Sequence, residues 1–242
     1  ATILDQVGWR VQLLRGGYKS YRSAVVKTLY DTPLPHRMML VDGGTGTAKT
    51  ALLHEMAAQG AQILDLEGLA EHRGSLFGAM AAEQPAQKMF ESRIAARLAL
   101  LDPEKIIFVE AESSKIGERL LPASLWATMN AAPRIGLTAP VAARSRFLCA
   151  AYADLIRDKP AFLAVLDRLR PYHAAARIAE WQAQVHSGDW PALAAGLITH
   201  HYDPRYAKSV AQKGPVTHPV ALPDLEPPTL ARTAAALIAR FR

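Results

Sequence analysis

Met38-Met39-Leu40-Val41, then Gly43 to Thr50, then Ala51-Leu52-Leu53 make an apolar run, a glycine-rich turn and the opening of a helix. No other stretch of the 242 residues restricts the fold so tightly. The turn, Gly43-Gly44-Thr45-Gly46-Thr47-Ala48-Lys49-Thr50, follows the P-loop pattern G-x-x-x-x-G-K-[ST] with Ala48 in place of its last glycine. Such a turn suits phosphate for three physical reasons. Small residues let successive backbone N–H groups wrap an oxyanion, a helix N-terminus points at it, and a lysine neutralises its charge. Gly43, Gly44 and Gly46 permit the turn, Lys49 supplies the ammonium and Thr50 offers a hydroxyl to Mg²⁺. Gly43 through Thr50 is therefore the expected phosphate cradle, with the Ala48 methyl expected near the phosphates. The plain alternative is an ordinary strand-to-helix turn carrying a surface lysine.

Around this loop strands and helices alternate. Gln62 to Leu66 and the wholly apolar Ile106 to Val109 read as strands, Arg134 to Thr138 as a weaker one, and the helix begun at Ala51 stops at Gly60. Pro85 sits where a first-turn proline is accepted, and Phe90, Ile94, Leu98 and Leu101 then recur at helical spacing until Asp102-Pro103. An uninterrupted apolar strand is one covered on both faces. The alternation predicts a P-loop NTPase-like α/β fold over residues 31–140, a mostly parallel sheet flanked by helices. Beyond Val141 the stripes Phe147-Leu148-Tyr152-Leu155-Ile156, Phe162-Leu166-Leu169 and Ile178-Trp181-Val185 predict a mainly helical C-terminal region, 141–242. Lys213 to Pro228 holds five prolines, which predicts an extended connection with one strand in Val216 to Leu222 before a last helix from Thr229.

Half of the residues are hydrophobic, enough for a sizeable core. The single cysteine, Cys149, excludes an internal disulfide and a cysteine-cluster metal site, which suits a reducing cytoplasm, and on its helical stripe it reads as a core residue. Residues 1–21 lack the apolar core of a signal peptide, and no stretch approaches the ~20 apolar residues of a membrane span. A soluble cytoplasmic protein is expected. Lys and Arg number 28 against 22 Asp and Glu, a formal charge of +6, which favours anionic partners but also serves plain solubility.

Two further clusters carry chemistry. Glu110 ends the apolar strand from Ile106, where P-loop enzymes put an acid that holds Mg²⁺ through water, so Thr50 and Glu110 form the expected metal pair. The same carboxylate would serve equally as a solvated turn residue. Leu64 to Gly78 is a strand end followed by a loop dense in glycine, acid, His72 and Arg73. Arg73 suits bidentate phosphate binding, and Asp65 or Glu67 suits a metal or a proton. Gly68, Gly74 and Gly78 would also serve merely to turn the chain.

Leu64-Asp65-Leu66-Glu67-Gly68-Leu69-Ala70, His72-Arg73-Gly74-Ser75 and Phe77-Gly78 resemble the signature of the tRNA 2-selenouridine synthase family. Gln84-Pro85, Gln87-Lys88 and Phe90-Glu91 resemble its next block, Val109-Glu110-Ala111-Glu112-Ser113 with Ile116-Gly117 another, and His201-Tyr202-Asp203-Pro204-Arg205-Tyr206 a late one. The resemblance implies catalytic roles for Lys49, Asp65, Glu67, His72 and Arg73, and marks Gly74, Ser75, Gln87, Lys88, Glu112 and Ser113 as motif positions. It implies transfer of a geranyl group from geranyl diphosphate to the sulfur of the wobble 2-thiouridine of tRNA, followed by replacement of that sulfur by selenium from selenophosphate. Both cosubstrates carry phosphate, so the cradle serves either without ATP, and Mg²⁺ would assist a departing diphosphate. Val11 to Arg22 resembles the last strand and glycine turn of a rhodanese domain, making residues 1–30 the expected remnant of one. With its reactive cysteine expected upstream of Ala1, the chain reads as a truncated enzyme unable to complete selenation alone.

Arg144, Arg146, Arg157, Lys159, Arg168, Arg170 and Arg177 are candidate contacts for a tRNA backbone, or solvated surface charge. In the late block Asp203-Pro204 reads as an N-cap and first-turn pair, a structural role. Two rival functions stand beside the transferase: a P-loop small-molecule kinase or NTPase, on Lys49, Thr50 and Glu110, and a tRNA-binding module without catalysis.

Overall fold

The computed structural model describes residues 2–80, 83–213 and 216–241. The chain opens with α1 (Thr2–Gln6) and α2 (Gly17–Val26). Then come β1 (Arg37–Gly43), α3 (Lys49–Ala58), β2 (Gln62–Leu64), α4 (Leu66–Ala70), α5 (Gln87–Leu98) and β3 (Ile106–Glu110). A small hairpin, β4 (Lys115–Ile116) and β5 (Arg119–Leu120), leads to α6 (Ala123–Ala131) and β6 (Arg134–Thr138). The helical region holds α7 (Val141–Ala151), α8 (Ala153–Ile156), α9 (Lys159–Asp167), α10 (Ala175–Ser187), α11 (Trp190–Leu197) and α12 (Asp203–Lys213). The chain ends with β7 (His218–Ala221) and α13 (Pro227–Arg240).

Five strands form one parallel sheet in the order β2-β3-β1-β6-β7. Successive β1 residues explain why it is covered on both sides, because side chains alternate faces along a strand. Met38 and Leu40 enter one apolar layer with Leu29, Phe90, Ile94, Leu98 and Met129, while Met39 and Val41 enter the opposite layer with Leu52, Leu53, Met56, Leu230 and Leu237. Each fully buried large apolar side chain contributes roughly 1.5–3 kcal/mol. A third core, with Phe162, Leu166, Trp181, Val185 and Leu193, belongs to the helical region, and the α4–α5 loop reaches it through Phe77.

Three expectations about organisation change. Val11 to Leu14 form no strand; Gly16, at φ 77°, precedes α2 instead. Val25 and Leu29 are buried in the sheet's own layer, and Arg22 and the Tyr30 hydroxyl donate to Glu91 of α5, so residues 17–31 pack onto the α/β layers. Burial alone would raise the Glu91 pKa, but the hydrogen bonds from Arg22, Gln87 and Tyr30 hold it below its ordinary value. At the other end, β7 pairs with β6 and α13 packs on α3, so the helical region is an excursion spanning 141–213 from which the chain returns to the sheet. Of the proline-rich connection, Gly214 and Pro215 lie outside the described residues. Pro85 precedes α5, whose N-cap is Ala86, and so stands outside the first turn.

Candidate functional site

The carboxyl end of β1, between β3 and β6, delivers the glycine-rich loop into the crevice where open parallel sheets gather ligands. The Gly43 N–H donates to Asp42 Oδ1 at 2.8 Å, Thr47 Oγ1 donates to the Gly44 carbonyl at 2.9 Å, and Lys49 Nζ donates to the Gly43 carbonyl at 3.1 Å. Gly46 takes φ 81°, and a Cβ there would lie 2.9 Å from Leu148 Cγ, so glycine is required twice over. Ala48 adopts the left-handed conformation expected of the missing glycine, φ 60°, at a cost of about 1–2 kcal/mol. Its side chain is 3% exposed and packs in the apolar layer with Leu52 and Val41. The expectation of a methyl beside the phosphates is therefore corrected: it faces the core. Gly43 and Gly44 are buried as well and form the loop's floor.

Residues Thr45 to Thr50 wall a cavity of about 530 Å³. Lys49, Arg73 and Arg205 bring positive charge to it, Glu67 and Glu112 negative charge. Thr50 Oγ1 donates to Glu67 Oε2 at 3.0 Å. Burial, and next the neighbouring Glu112 carboxylate, push the Glu67 pKa up to about 7 against the opposing pull of Lys49. Gly74, at φ 65°, lies so close that a Cβ would stand 2.7 Å from carboxylate oxygens of both Glu67 and Glu112. Arg73 donates through Nη2 to Asp154 at 2.8 Å and lies over the Tyr152 ring, while its Nη1 is buried without a hydrogen-bond partner among the described residues. A buried unpaired guanidinium nitrogen is costly unless an acceptor reaches it. Ser75 Oγ and Tyr152 OH are 3.1 Å apart on the same wall.

The expected metal pair of Thr50 and Glu110 is not what the structure brings together. Glu110 is fully buried, and its Oε2 accepts the Leu66 N–H at 2.8 Å. Burial, then the Asp65 and Glu67 charges, raise its carboxyl well above the ordinary value, and it closes the strand end behind the Leu66 N–H. Asp65 and His72 also stand apart from the cavity wall. Asp65 caps α4 by accepting the Gly68 N–H at 2.7 Å and meets His54 at 2.8 Å. His72 Nδ1 accepts the Gly74 N–H at 3.1 Å, bracing the loop that carries Arg73, and burial lowers its pKa. Gln87 joins α5 to the hairpin, donating to the Leu120 carbonyl and accepting its N–H. Ser113 accepts the Lys115 N–H in the turn before β4, and Lys88 is exposed on α5.

The helical region completes the site, and here sequence reasoning missed most. Arg144 is buried, not a surface contact for RNA. It donates to the Thr45 carbonyl at 2.7 and 2.9 Å and clasps Asp203 at 2.6 and 2.9 Å. Asp203 is accordingly no N-cap; it lies in helical conformation where a wide π turn, Ile198–Tyr202, runs straight into α12. Tyr206 OH donates to Asp42 Oδ1 at 3.2 Å, and Arg134 of β6 donates to Asp42 Oδ2 at 3.2 Å, so α12 is tied to the residue before the loop as well as, through Arg144, to Thr45 within it. Of the remaining cations, Arg146, Arg157, Arg168 and Arg170 are exposed, Arg177 pairs with Glu180, and Lys159 donates to the His186 carbonyl.

Beside the polar cavity runs a narrow apolar slot lined by Phe77, Cys149, Ile156, Phe162, Trp190 and Leu193. Thr45, Leu148, Tyr152 and Tyr202 are walls common to slot and cavity. Cys149 is thus a slot residue, its thiol pKa raised by burial. The helical stripes were visible in the sequence as core; which of their members leave a gap was not.

Fold and site together define a P-loop NTPase-like α/β protein with a helical region beside the loop. The sequence model of the tRNA 2-selenouridine synthase AAA domain matches residues 36–166, more than half of the chain, and the chain belongs to this family. A tRNA 2-selenouridine synthase of Psychromonas ingrahamii is 32% identical over 160 residues, 66% of this chain and 42% of that protein. One from Shewanella loihica is 37% identical over 145 residues, and one from Nitrosomonas europaea 34% over 144, each covering 58% of this chain and 37% of the relative. The chain thus spans about two fifths of the length of the curated relatives it matches. Among solved structures, TT1252 from Thermus thermophilus matches at 12% identity and a TM-score of 0.35, over 86% of this chain and 98% of that one.

Proposed function

We propose that this chain is the phosphate-binding and prenyl-binding part of a tRNA-modifying transferase, acting on the sulfur of a 2-thiouridine with geranyl diphosphate as donor. The observation that carries the reading is the shared wall of Thr45, Leu148, Tyr152 and Tyr202, which joins a cationic phosphate cavity to an apolar slot. A site of that form suits an amphiphile with a phosphorylated head and a hydrocarbon tail, whereas a nucleoside triphosphate would place a polar ribose and base there. The relatives' name supplies the tRNA substrate, and selenophosphate remains the cosubstrate that the resemblance implies for the selenium step.

In this reading the loop amides and Lys49 hold the diphosphate, and Arg73 Nη1 donates to it. The base's sulfur forms a bond to the first carbon of the geranyl chain as the carbon–oxygen bond breaks, and that electron pair leaves with the diphosphate. Lys49 and Arg73 stabilise the charge gathering there, in a wall that also excludes water. The base loses a ring proton on S-alkylation, and Glu67, titrating at about 7, is suited to accept it. Among the described residues no group of three or more His, Cys, Asp or Glu side chains is arranged to hold a metal alone. The Thr50 hydroxyl and the Glu112 carboxylate are nonetheless hard oxygen donors of the kind that share Mg²⁺ with substrate phosphates. When bound, Mg²⁺ would offset negative charge on the leaving diphosphate. Among the described residues no helix is long and apolar enough to cross a membrane.

The test is mass spectrometry of nucleosides from 2-thiouridine-containing tRNA incubated with the protein, Mg²⁺ and geranyl diphosphate. The expected product is S-geranylated thiouridine. ATP turnover with no geranyl transfer would instead support the kinase reading, and tRNA binding with neither reaction the non-catalytic one.

A further inference from the structure

Arg205 differs from the other two arginines at the site. Arg144 has its guanidinium engaged by Thr45 and Asp203, and Arg73 is paired with Asp154. Among the described residues Arg205 has no carboxylate partner, and its Nε and Nη2 make no hydrogen bond. It is exposed at the cavity's edge, yet its orientation is set. Nη1 donates to His201 Nδ1 at 3.0 Å and to the His201 carbonyl at 3.3 Å, and the guanidinium lies over the Tyr172 ring at 4.6 Å. Burial, then the Arg205 charge itself, pull the His201 pKa down to about 4, which keeps Nδ1 an acceptor for Arg205 at neutral pH. Tyr172 is 62% exposed, so most of its ring stays in solvent. Arg177 adds positive charge nearby, close enough to help lower the His173 pKa after burial and Arg205.

A preoriented guanidinium on an exposed aromatic ring, beside a cavity mouth and without an anion of its own, is the chemistry by which proteins hold single-stranded RNA: stacking for an unpaired base, charge for its backbone phosphate. We infer that Tyr172 and Arg205 form the platform on which an unpaired nucleotide of the RNA substrate docks while the modified base enters the cavity. This rests on the tRNA reading above and adds to it the surface that reads the loop. The phosphate contacted by Arg205 is then the RNA backbone's and not the donor's diphosphate.

The test measures binding of a synthetic RNA hairpin with 2-thiouridine in its loop, a fully paired duplex of the same length, and inorganic pyrophosphate. It compares the unsubstituted protein with Arg205→Ala, Tyr172→Ala and Tyr172→Phe, each checked by thermal denaturation. Arg205→Ala and Tyr172→Ala should each weaken hairpin binding about tenfold, Tyr172→Phe little. Arg205→Ala should also make the salt dependence of hairpin binding shallower by about 0.7 in slope, as for one lost single-strand phosphate contact. Pyrophosphate affinity should be unchanged in the Tyr172 variants, and in Arg205→Ala should fall by less than hairpin affinity, because Arg205 stands only at the cavity's edge. Hairpin binding unaltered in both alanine variants, or a duplex bound as well as the hairpin, would overturn the platform. A loss of pyrophosphate affinity in Arg205→Ala as large as the loss of hairpin affinity would reassign that arginine to the donor. An unsubstituted protein that binds no RNA at all would instead sink the tRNA reading beneath it.

Discussion

The loop at the end of β1 and the helical cap above it build one site by opposite means. The loop is local: eight consecutive residues supply the amides, the lysine and the hydroxyls, and the strand before and helix after fix their direction. The cap is assembled from positions far apart, Arg144 with Asp203, Phe77 with Phe162, Asp42 with Tyr206. In the proposed function, phosphate binding would rest on short-range geometry, and the choice of what hangs from the phosphate, or docks above it, on long-range packing.

Breaking the tie between the two regions should have the largest effect. Asp42 and Arg134 are 4% and 6% exposed, and Asp42 also accepts from Gly43 N–H and Tyr206. Asp42→Ala leaves a buried guanidinium without its anion and is expected to cost about 3–5 kcal/mol in chemical denaturation. Next comes the loop alone. Lys49→Ala removes a charge-assisted contact of about 1.5–3 kcal/mol, and should lower pyrophosphate affinity about tenfold or more with stability unchanged, as read by calorimetry. The smallest effect concerns Glu67. Its pKa is raised to about 7, so above that pH it is a carboxylate beside the bound anion and below it a neutral acid. In Mg²⁺-free buffer the Glu67→Gln variant should bind pyrophosphate a few-fold more tightly than the unsubstituted protein above pH 7, with the two converging as pH falls through that value. Comparing the pair cancels the ligand's own titration. A constant ratio across pH would place the titrating group elsewhere.

The contrast also explains what was legible in the sequence. The loop, four sheet strands and the strand within Val216 to Leu222 all have signatures a few residues long, so they could be read directly. Glu110 and Glu67 could not be told apart, because both follow apolar strands; only the fold buries one behind Leu66 N–H and aims the other at Thr50. Arg144 looked like any helix-surface arginine, since its partner lies 59 residues away. Val11 to Leu14 resembled a strand but has no neighbouring strand with which to pair. The slot is a gap among apolar side chains, which periodicity marks only as buried.

Calorimetric titration of geranyl diphosphate and inorganic pyrophosphate into the unsubstituted protein and Ala194→Trp tests the central claim most directly. Ala194 lines the slot on a helix of the helical region, and an indole there would fill it. Each methylene withdrawn from water contributes about 0.8 kcal/mol, so the prenylated ligand should bind at least about tenfold more tightly than pyrophosphate to the unsubstituted protein. Ala194→Trp should erase that preference and leave pyrophosphate affinity unchanged. Equal affinity for the two ligands before substitution, or a preference that survives the tryptophan, would contradict a site built from a phosphate loop joined to an apolar slot.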